Sequence, residues 1–156
     1  MNGEPSGAGG SPGTYFELRR VWTPGDTVRL DLPMPVRLVE SHPYVAENRG
    51  RVALMRGPLL YCVEGADNPG FDLRDLVLDG ETPSASYAPD LLDGIFVLGA
   101  RAHTIEPDTG WDDRLYREVG SAEGQDGDGV RDVVAIPYYA WANREPGAML
   151  VWLGSR

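Results

Sequence analysis

Short runs of apolar residues, each bounded by Gly, Pro or Asp, recur along the chain, and none has the period of a long amphipathic helix. The densest pair covers residues 52–55 and 59–63, which Gly57 and Pro58 divide. Each run has the length of a typical strand, and both dividing residues disfavour a helix interior. Apolar side chains fall on both faces, as is typical of a strand between two layers. We therefore interpret residues 47–65 as a bent or bulged strand at the centre of a β-sandwich.

The clearest alternation of apolar and polar positions lies in residues 14–32. Phe16, Leu18 and Trp22 share one face of a first run, and a second run follows at residues 28–32. The Thr-Pro-Gly-Asp sequence at residues 23–26 has Pro and Gly where a β-turn favours them. The pattern predicts a β-hairpin, with Trp22 in the core.

The rest of the chain predicts further strands at residues 36–40, 84–88, 94–105, 130–141 and 148–153. Residues 45–48 indicate a helical turn, residues 73–78 a strand or a helical turn, and residues 143–147 the turn of a final hairpin. The prediction is an all-β protein, an antiparallel, jelly-roll-like β-sandwich of about eight strands with little or no helix. It spans residues 14–156, with a flexible tail at residues 1–13 and a disordered acidic loop at residues 120–129. A division into two subdomains near residues 66–70 is the alternative.

Composition narrows the range of partners. The net charge of −10 and a pI near 4.5 disfavour nucleic acid and anionic membranes. Residues 1–13 lack the basic and apolar regions of a signal peptide, and no apolar run approaches the length of a membrane span. On this basis the cytoplasm is slightly favoured as the compartment.

Candidate catalytic and metal-binding residues are few. His42 and His103 have no serine in a nucleophile-elbow setting, so we interpret both as histidines with structural partners. The only cysteine, Cys62, has apolar neighbours and is expected to be buried and unreactive. These residues do not make up a zinc site, and we predict no catalytic, cofactor or metal-binding residues in this chain.

Two acidic stretches are candidate sites. Residues 126–132 place carboxylates at alternate positions, as calcium loops do, but Val130 occupies a ligand position and no bidentate Glu follows. A disordered acidic linker is the favoured interpretation. Asp112 and Asp113 are the paired carboxylates that glycoside hydrolysis would need, but neighbours on a strand point to opposite faces.

Aromatic residues are the remaining candidates. Consecutive aromatics in a strand cannot all face inward, so part of this set is expected at the surface. Core or domain-interface packing is favoured over a sugar-binding platform. The candidate sugar or domain-interface residues are Trp111, Tyr138, Tyr139 and Trp141.

Three stretches together resemble a known family. They are DLPMPVR at residues 31–37, NRGRVALMRGPLLYCVE at residues 48–64 and VAIPYYAWANR at residues 134–144. NGEP at residues 2–5 and the W-x-P-G-D turn at residues 22–26 fit in the same order. The chain resembles, over nearly its whole length, the C-terminal region of the β-L-arabinofuranosidase family of glycoside hydrolases, family 127.

The resemblance implies that catalysis and structural support belong to different domains. Enzymes of that family have a large α/α barrel with the catalytic acids and a zinc-bound cysteine nucleophile, followed by β-sandwich domains, and this chain matches only the latter. Cys62 lies outside the family's catalytic motifs, so zinc is expected only in the absent catalytic domain. The implied role is a non-catalytic module that supports or dimerises the barrel, with an arabinose-containing glycan as a further candidate partner. The alternative is a free-standing carbohydrate-binding module.

The match also begins partway through a sandwich domain. Without the strands that precede it in the family, residues 15–32 would expose unpaired sheet edge and apolar side chains. We therefore expect marginal stability or self-association of the isolated chain.

Overall fold

The computed structural model describes residues 2–3, 11, 13–105, 115–118 and 129–155. The chain divides into two compact units, residues 1–33 and 34–156. Residues 66–70, the predicted subdomain boundary, lie inside the second unit. Among the described residues, no helix has the length and apolar composition that crossing a bilayer requires.

The first unit has the predicted turn without the predicted strands. The Asp26 amide donates to the Thr23 carbonyl over 3.0 Å, and the Asp26 carboxylate accepts from the Thr23 amide over 2.9 Å. The described part of residues 14–33 contains no strand, so the hairpin prediction is wrong on this point. Trp22, predicted in the core, is 48% exposed, with the Arg20 guanidinium 5.1 Å from its ring centre. A two-stranded hairpin needs a covering layer for stability, and the described residues of this unit do not supply one.

The second unit is built from nine strands among the described residues. The strands are β1 Val36–Glu40, β2 Arg51–Arg56, β3 Leu59–Glu64, β4 Leu76–Leu78, β5 Ser84–Ala88, β6 Ile95–Thr104, β7 Val130–Pro137, β8 Met149–Leu150 and β9 Leu153–Ser155. Three 3₁₀ turns complete the described elements: Ala46–Asn48, Leu73–Asp75 and Tyr138–Ala140. The all-β prediction is confirmed. Residues 73–78, where a strand and a helical turn were alternatives, contain both in succession.

The stretch interpreted as one bent strand is a hairpin of two strands, β2 and β3. Met55 pairs with Leu60 and Arg56 with Leu59 across a two-residue turn. Gly57 opens this turn with φ +55°, and a β-carbon there would lie 2.5 Å from the Met34 sulfur. A glycine with positive φ at the first central position is what a type II′ hairpin turn requires. Gly57 and Pro58 therefore reverse the chain.

After these two pairs β2 and β3 separate, and the sheet folds back on itself. β2 continues beside β1 and β9, whereas β3 continues beside β7 and β8. Hydrogen-bonded neighbours form a circuit, β2–β9–β4–β6–β7–β3, that returns to β2. Every pair is antiparallel except β4 with β9. Two layers thus face each other across a common core, in agreement with the predicted sandwich.

Both faces of β3 are buried, as its apolar composition predicts. Tyr61 and Val63 lie in the main core between the layers, whereas Cys62 packs into a second cluster on the opposite face. The main core is formed by Leu54, Tyr61, Val63, Leu73, Leu76, Leu78, Leu98, Ala100, Ala102, Val133, Ala135 and Leu153. The second cluster is formed by Cys62, Ile95, Ile136 and Ala140, with Leu91, Leu92, Val97, Met149 and Val151 packed against it.

The predicted final hairpin is wrong in its pairing. β7 and β8 both pair with β3, on its two sides, rather than with each other. Residues 138–148 therefore cross over the end of β3, and this crossing places the surface described next.

Candidate interaction surface

An aromatic turn follows β7 at one end of the sheet. The chain leaves the strand at Pro137 and forms a 3₁₀ turn, Tyr138–Ala140, in which Ala140 is buried in the second cluster. The rings on either side are open to solvent: Tyr138 is 41%, Tyr139 66% and Trp141 41% exposed. The Tyr138 and Trp141 rings stack with centroids 5.9 Å apart and planes 23° apart. We call residues 138–141 the aromatic turn.

Three of the four aromatic candidates from the sequence therefore lie together at the surface. Trp111 lies outside the described residues, as do Asp112, Asp113 and most of the acidic segment at residues 120–129.

An ion cluster, which we call the Arg144 clamp, holds the segment after the aromatic turn. The Arg144 guanidinium donates to both carboxylate oxygens of Asp67 and to one oxygen of Glu64. These side chains are 20%, 12% and 9% exposed respectively, so the cluster is largely removed from water. The pKa of Arg144 is raised, mainly by its hydrogen bonds to Asp67 and with a further contribution from Glu64.

The second Glu64 oxygen fixes the backbone beside Trp141. It accepts a hydrogen bond of 3.1 Å from the amide of Ala142, whose φ is +61°. A left-handed alanine is disfavoured and persists where surrounding contacts impose it. Asn143 adds hydrogen bonds from its side-chain amide to the Ala140 and Trp141 carbonyls, of 3.1 and 3.4 Å.

Asn68 joins the β3 end of the clamp to β7. It is 3% exposed and donates to the carbonyls of Glu64 and Val134 over 2.8 and 2.9 Å. Its side-chain oxygen accepts from the Val134 amide over 2.9 Å. A buried amide with these bonds satisfied ties the two strands in one register.

A second exposed group of rings lies on β5 and β6 and was not predicted. The Arg56 guanidinium lies 4.1 Å from the centre of the Phe96 ring, and the Tyr87 ring is 5.3 Å from it. The Tyr61 hydroxyl donates to the Phe96 carbonyl over 3.1 Å. Burial raises the pKa of Tyr61; Arg56 opposes the rise and Tyr139 adds to it.

The reactive side chains considered from the sequence are occupied by structural contacts. Cys62 is 1% exposed, and burial, with smaller contributions from Glu64 and Asp67, raises the pKa of its thiol to about 11. Its neighbours in the second cluster are apolar side chains rather than the Cys, His or carboxylate ligands that zinc takes, so Cys62 does not fit a zinc site. Within the described ranges, no group of three His, Cys, Asp or Glu is placed to hold a metal ion.

Each histidine has a structural partner, as predicted. The His103 Nε2 atom lies 2.8 Å from the Asp79 carboxylate, and His42 Nδ1 accepts a hydrogen bond from the Tyr44 amide. His42 also lines an open depression of about 400 Å³ that the sequence did not indicate. Its other lining residues are Glu40, Ser41, Pro43, Asn48, Arg49, Gly50, Arg51, Val52 and Ser155.

The fold and this surface define an all-β, sandwich-type module that presents an exposed aromatic turn. The model of the glycoside hydrolase family 127 C-terminal domain matches residues 36–154. The chain therefore belongs to the family of glycoside hydrolase family 127 C-terminal domains, as the resemblance predicted.

Relatives place the domain within longer chains. The chain is 34% identical over 160 residues to the non-reducing end β-L-arabinofuranosidase of Bifidobacterium longum subsp. longum, covering 97% of this chain and 23% of that protein. A solved family 127 β-L-arabinofuranosidase from Geobacillus stearothermophilus T6 is 41% identical with a TM-score of 0.68, covering 80% of this chain and 19% of its own. A solved family 127 β-arabinofuranosidase is 34% identical with a TM-score of 0.59, covering 79% and 17%. The chain thus spans less than a quarter of these relatives.

Proposed function

We propose that this chain acts as the non-catalytic C-terminal β-sandwich of a β-L-arabinofuranosidase-like glycoside hydrolase, where it supports a separate catalytic α/α barrel. The observation that carries the proposal is the position of the domain in its relatives. It accounts for 17–23% of each of the longer proteins compared above, two of which are described as β-L-arabinofuranosidases and one as a β-arabinofuranosidase.

The chemistry of the described residues supports a structural role. The pKa of the buried Cys62 thiol is about 11, which keeps it protonated and a poor nucleophile near neutral pH. Glu64 and Asp67 bind Arg144, and Asp79 binds His103. These are the contacts of a protein whose polar side chains hold its own strands and turns in place.

A domain replacement in the Geobacillus relative tests the proposal. One variant lacks the region that this chain matches, and a second carries this chain in its place. We expect the deletion to lower the melting temperature and the hydrolysis of an aryl β-L-arabinofuranoside, and the replacement to restore both in part. The isolated chain should give no turnover. An unaffected deletion variant, or turnover by the chain alone, would refute the supporting role.

Self-association of two copies is a second form of support, and the first unit favours it. Tyr15, Val21, Leu30 and Leu32 are all more than two-thirds exposed, so the first unit presents several large apolar side chains to solvent. Sedimentation velocity of the isolated chain should therefore show concentration-dependent association. A clean monomer with a high melting temperature would contradict this form of the proposal.

Binding of an arabinose-containing glycan is the alternative function, and the exposed rings of the aromatic turn favour it. Aromatic faces stack on sugar rings, and Tyr139 is the most exposed of the three. Affinity electrophoresis in arabinan gels, with Trp141→Ala as the test variant and Tyr44→Ala as the control, separates the two functions. Retardation lost only in the first variant would support glycan binding, and unretarded migration would exclude it.

A further inference from the structure

We propose that the aromatic turn is the surface through which this domain contacts the rest of the parent enzyme, and that the Arg144 clamp sets its shape in advance. The inference rests on the proposed function and adds the residues of the contact. Its evidence lies in how the turn is built, what it exposes and how much surface it offers.

The turn is held more firmly than an exposed loop needs. The Glu64 carboxylate accepts a hydrogen bond from the amide of Ala142, whose backbone is left-handed. The Arg144 guanidinium binds the other oxygen of the same carboxylate. The Ala142 amide and the Arg144 guanidinium lie 78 and 80 residues from Glu64 in sequence, and both bind its carboxylate, of which 9% is exposed. Backbone strain of this kind concentrates where a surface must keep one shape, as at a binding site. A surface ordered beforehand loses less conformational entropy when it binds.

The exposed composition is that of the centre of a protein interface. Tyr, Trp and Arg are the residues most enriched among those that dominate binding energy. The three rings of the aromatic turn leave on the order of 300 Å² open to solvent, given the usual size of aromatic side chains. The Arg56 guanidinium over the Phe96 ring gives the same composition at a second exposed group, on β6.

The exposed area of the aromatic turn favours a partner in the same polypeptide over a separate protein. A stable complex between free proteins buries about 800 Å² on each side, more than the aromatic turn offers. A partner in the same polypeptide needs less, because the linker supplies a millimolar effective concentration. The solved and curated relatives carry the domain as about a fifth of a longer chain, so such a partner exists in them. The occupant we infer is therefore the remainder of the parent enzyme, and a glycan is the competing outcome.

The test uses the intact chain and the Geobacillus replacement protein described above. Hydroxyl-radical footprinting with mass spectrometry measures the labelling of single side chains without any substitution. We expect Tyr139 and Trp141 to be labelled rapidly in the isolated chain and at least fivefold more slowly in the replacement protein. Tyr44, 92% exposed in a loop of the same unit, is the internal control and should label equally in both. Equal labelling of Tyr139 and Trp141 in the two proteins would overturn the inference.

Substitutions give a second measurement. In the replacement protein, Tyr139→Ala and Trp141→Ala should each lower the melting temperature by about 1–3 °C, as expected for a central interface residue in a protein roughly four times the length of this chain. The same changes should leave the isolated chain nearly unaffected, and Tyr44→Ala should be neutral in both. Equal losses in the isolated chain would make the rings structural and reject the inference, as would glycan binding that depends on Trp141.

The two proposals fail in different ways. If deleting the whole region leaves the Geobacillus enzyme unchanged, the supporting function is wrong. If the deletion destabilises the enzyme but the rings remain labelled and their removal is neutral, the support is real and uses another surface, so only the present inference is wrong.

Discussion

Replacing Arg144 by methionine tests whether the buried ion cluster stabilises the sandwich. Methionine retains much of the length of the side chain and removes the guanidinium. In the wild-type chain that group makes two hydrogen bonds to Asp67 and one to Glu64. Without it, two carboxylates that are 9% and 12% exposed face each other with no cation between them.

The expected loss in the free energy of unfolding follows from the burial of the two carboxylates. Removing one partner of a buried ion pair costs about 3–5 kcal/mol, because the remaining charge is left uncompensated. Arg144 keeps 20% of its side chain exposed, so water can enter the gap and the loss should be lower, about 2–4 kcal/mol. For a chain of this length that corresponds to a fall in melting temperature of about 6–12 °C.

Urea unfolding followed by circular dichroism measures the free energy directly. Arg74→Met is the matched control, because Arg74 also binds a carboxylate, that of Asp72, but is 79% exposed. We expect no measurable change in the control. A double-mutant cycle with Glu64→Gln should show non-additive losses. An Arg144→Met chain as stable as the Arg74→Met chain would refute the reasoning.

The further predictions concern three single residues. Cys62 should resist alkylation in the folded chain and react on unfolding, because the pKa of its thiol is about 11; native labelling at neutral pH would contradict this. Since that pKa lies above the unfolded value, the contribution of Cys62 to stability is full below about pH 8.5 and is lost as pH rises toward 11. Gly57→Ala should cost about 1–2 kcal/mol in thermal unfolding because φ is +55°, whereas Gly147→Ala, in open space, should be neutral. Asn68→Asp should lower the free energy of unfolding in urea by at least about 2 kcal/mol, because a carboxylate would face the carbonyls of Glu64 and Val134. An unchanged urea midpoint would argue against these hydrogen bonds.

Much of the sheet could be predicted because its strands are locally encoded. Alternation and flanking breakers placed Val36–Glu40 and Ser84–Ala88 at the observed bounds, and β6 within a residue at each end. The error at residues 47–65 came from treating Gly57-Pro58 as a bend. Glycine before proline fits both a bulge and a tight turn, and only the positive φ of Gly57 decides between them.

The pairing of the strands could not be predicted from local sequence patterns. β3 separates β7 from β8, so the turn-like residues 143–147 lie in a crossing connection rather than a hairpin. The first unit shows the same limit, because the alternation of residues 14–32 indicates a preference for a covering layer without showing that one is present. The preference is visible in the exposed Leu30 and Leu32 side chains.

The aromatic turn was partly predictable for a physical reason. Three rings within four consecutive residues cannot all face inward, so Tyr138, Tyr139 and Trp141 could be selected as surface candidates. The clamp behind them could not be found, because Glu64 and Arg144 are 80 residues apart and each resembles an ordinary surface charge in sequence.

Stability alone does not account for an ion cluster at this position. Well-packed apolar side chains of similar volume often stabilise a protein as much as a buried ion pair or more. The Arg144 guanidinium also fixes an orientation. Its two parallel hydrogen bonds to Asp67 allow one orientation of residues 138–148 relative to β3. Glu64 transmits that orientation to the Ala142 amide and thus to the ring of Trp141. An apolar contact could hold residues 138–148 against the sheet but would not fix their orientation. The Arg144 clamp is therefore best understood as the element that orients the exposed rings of the aromatic turn.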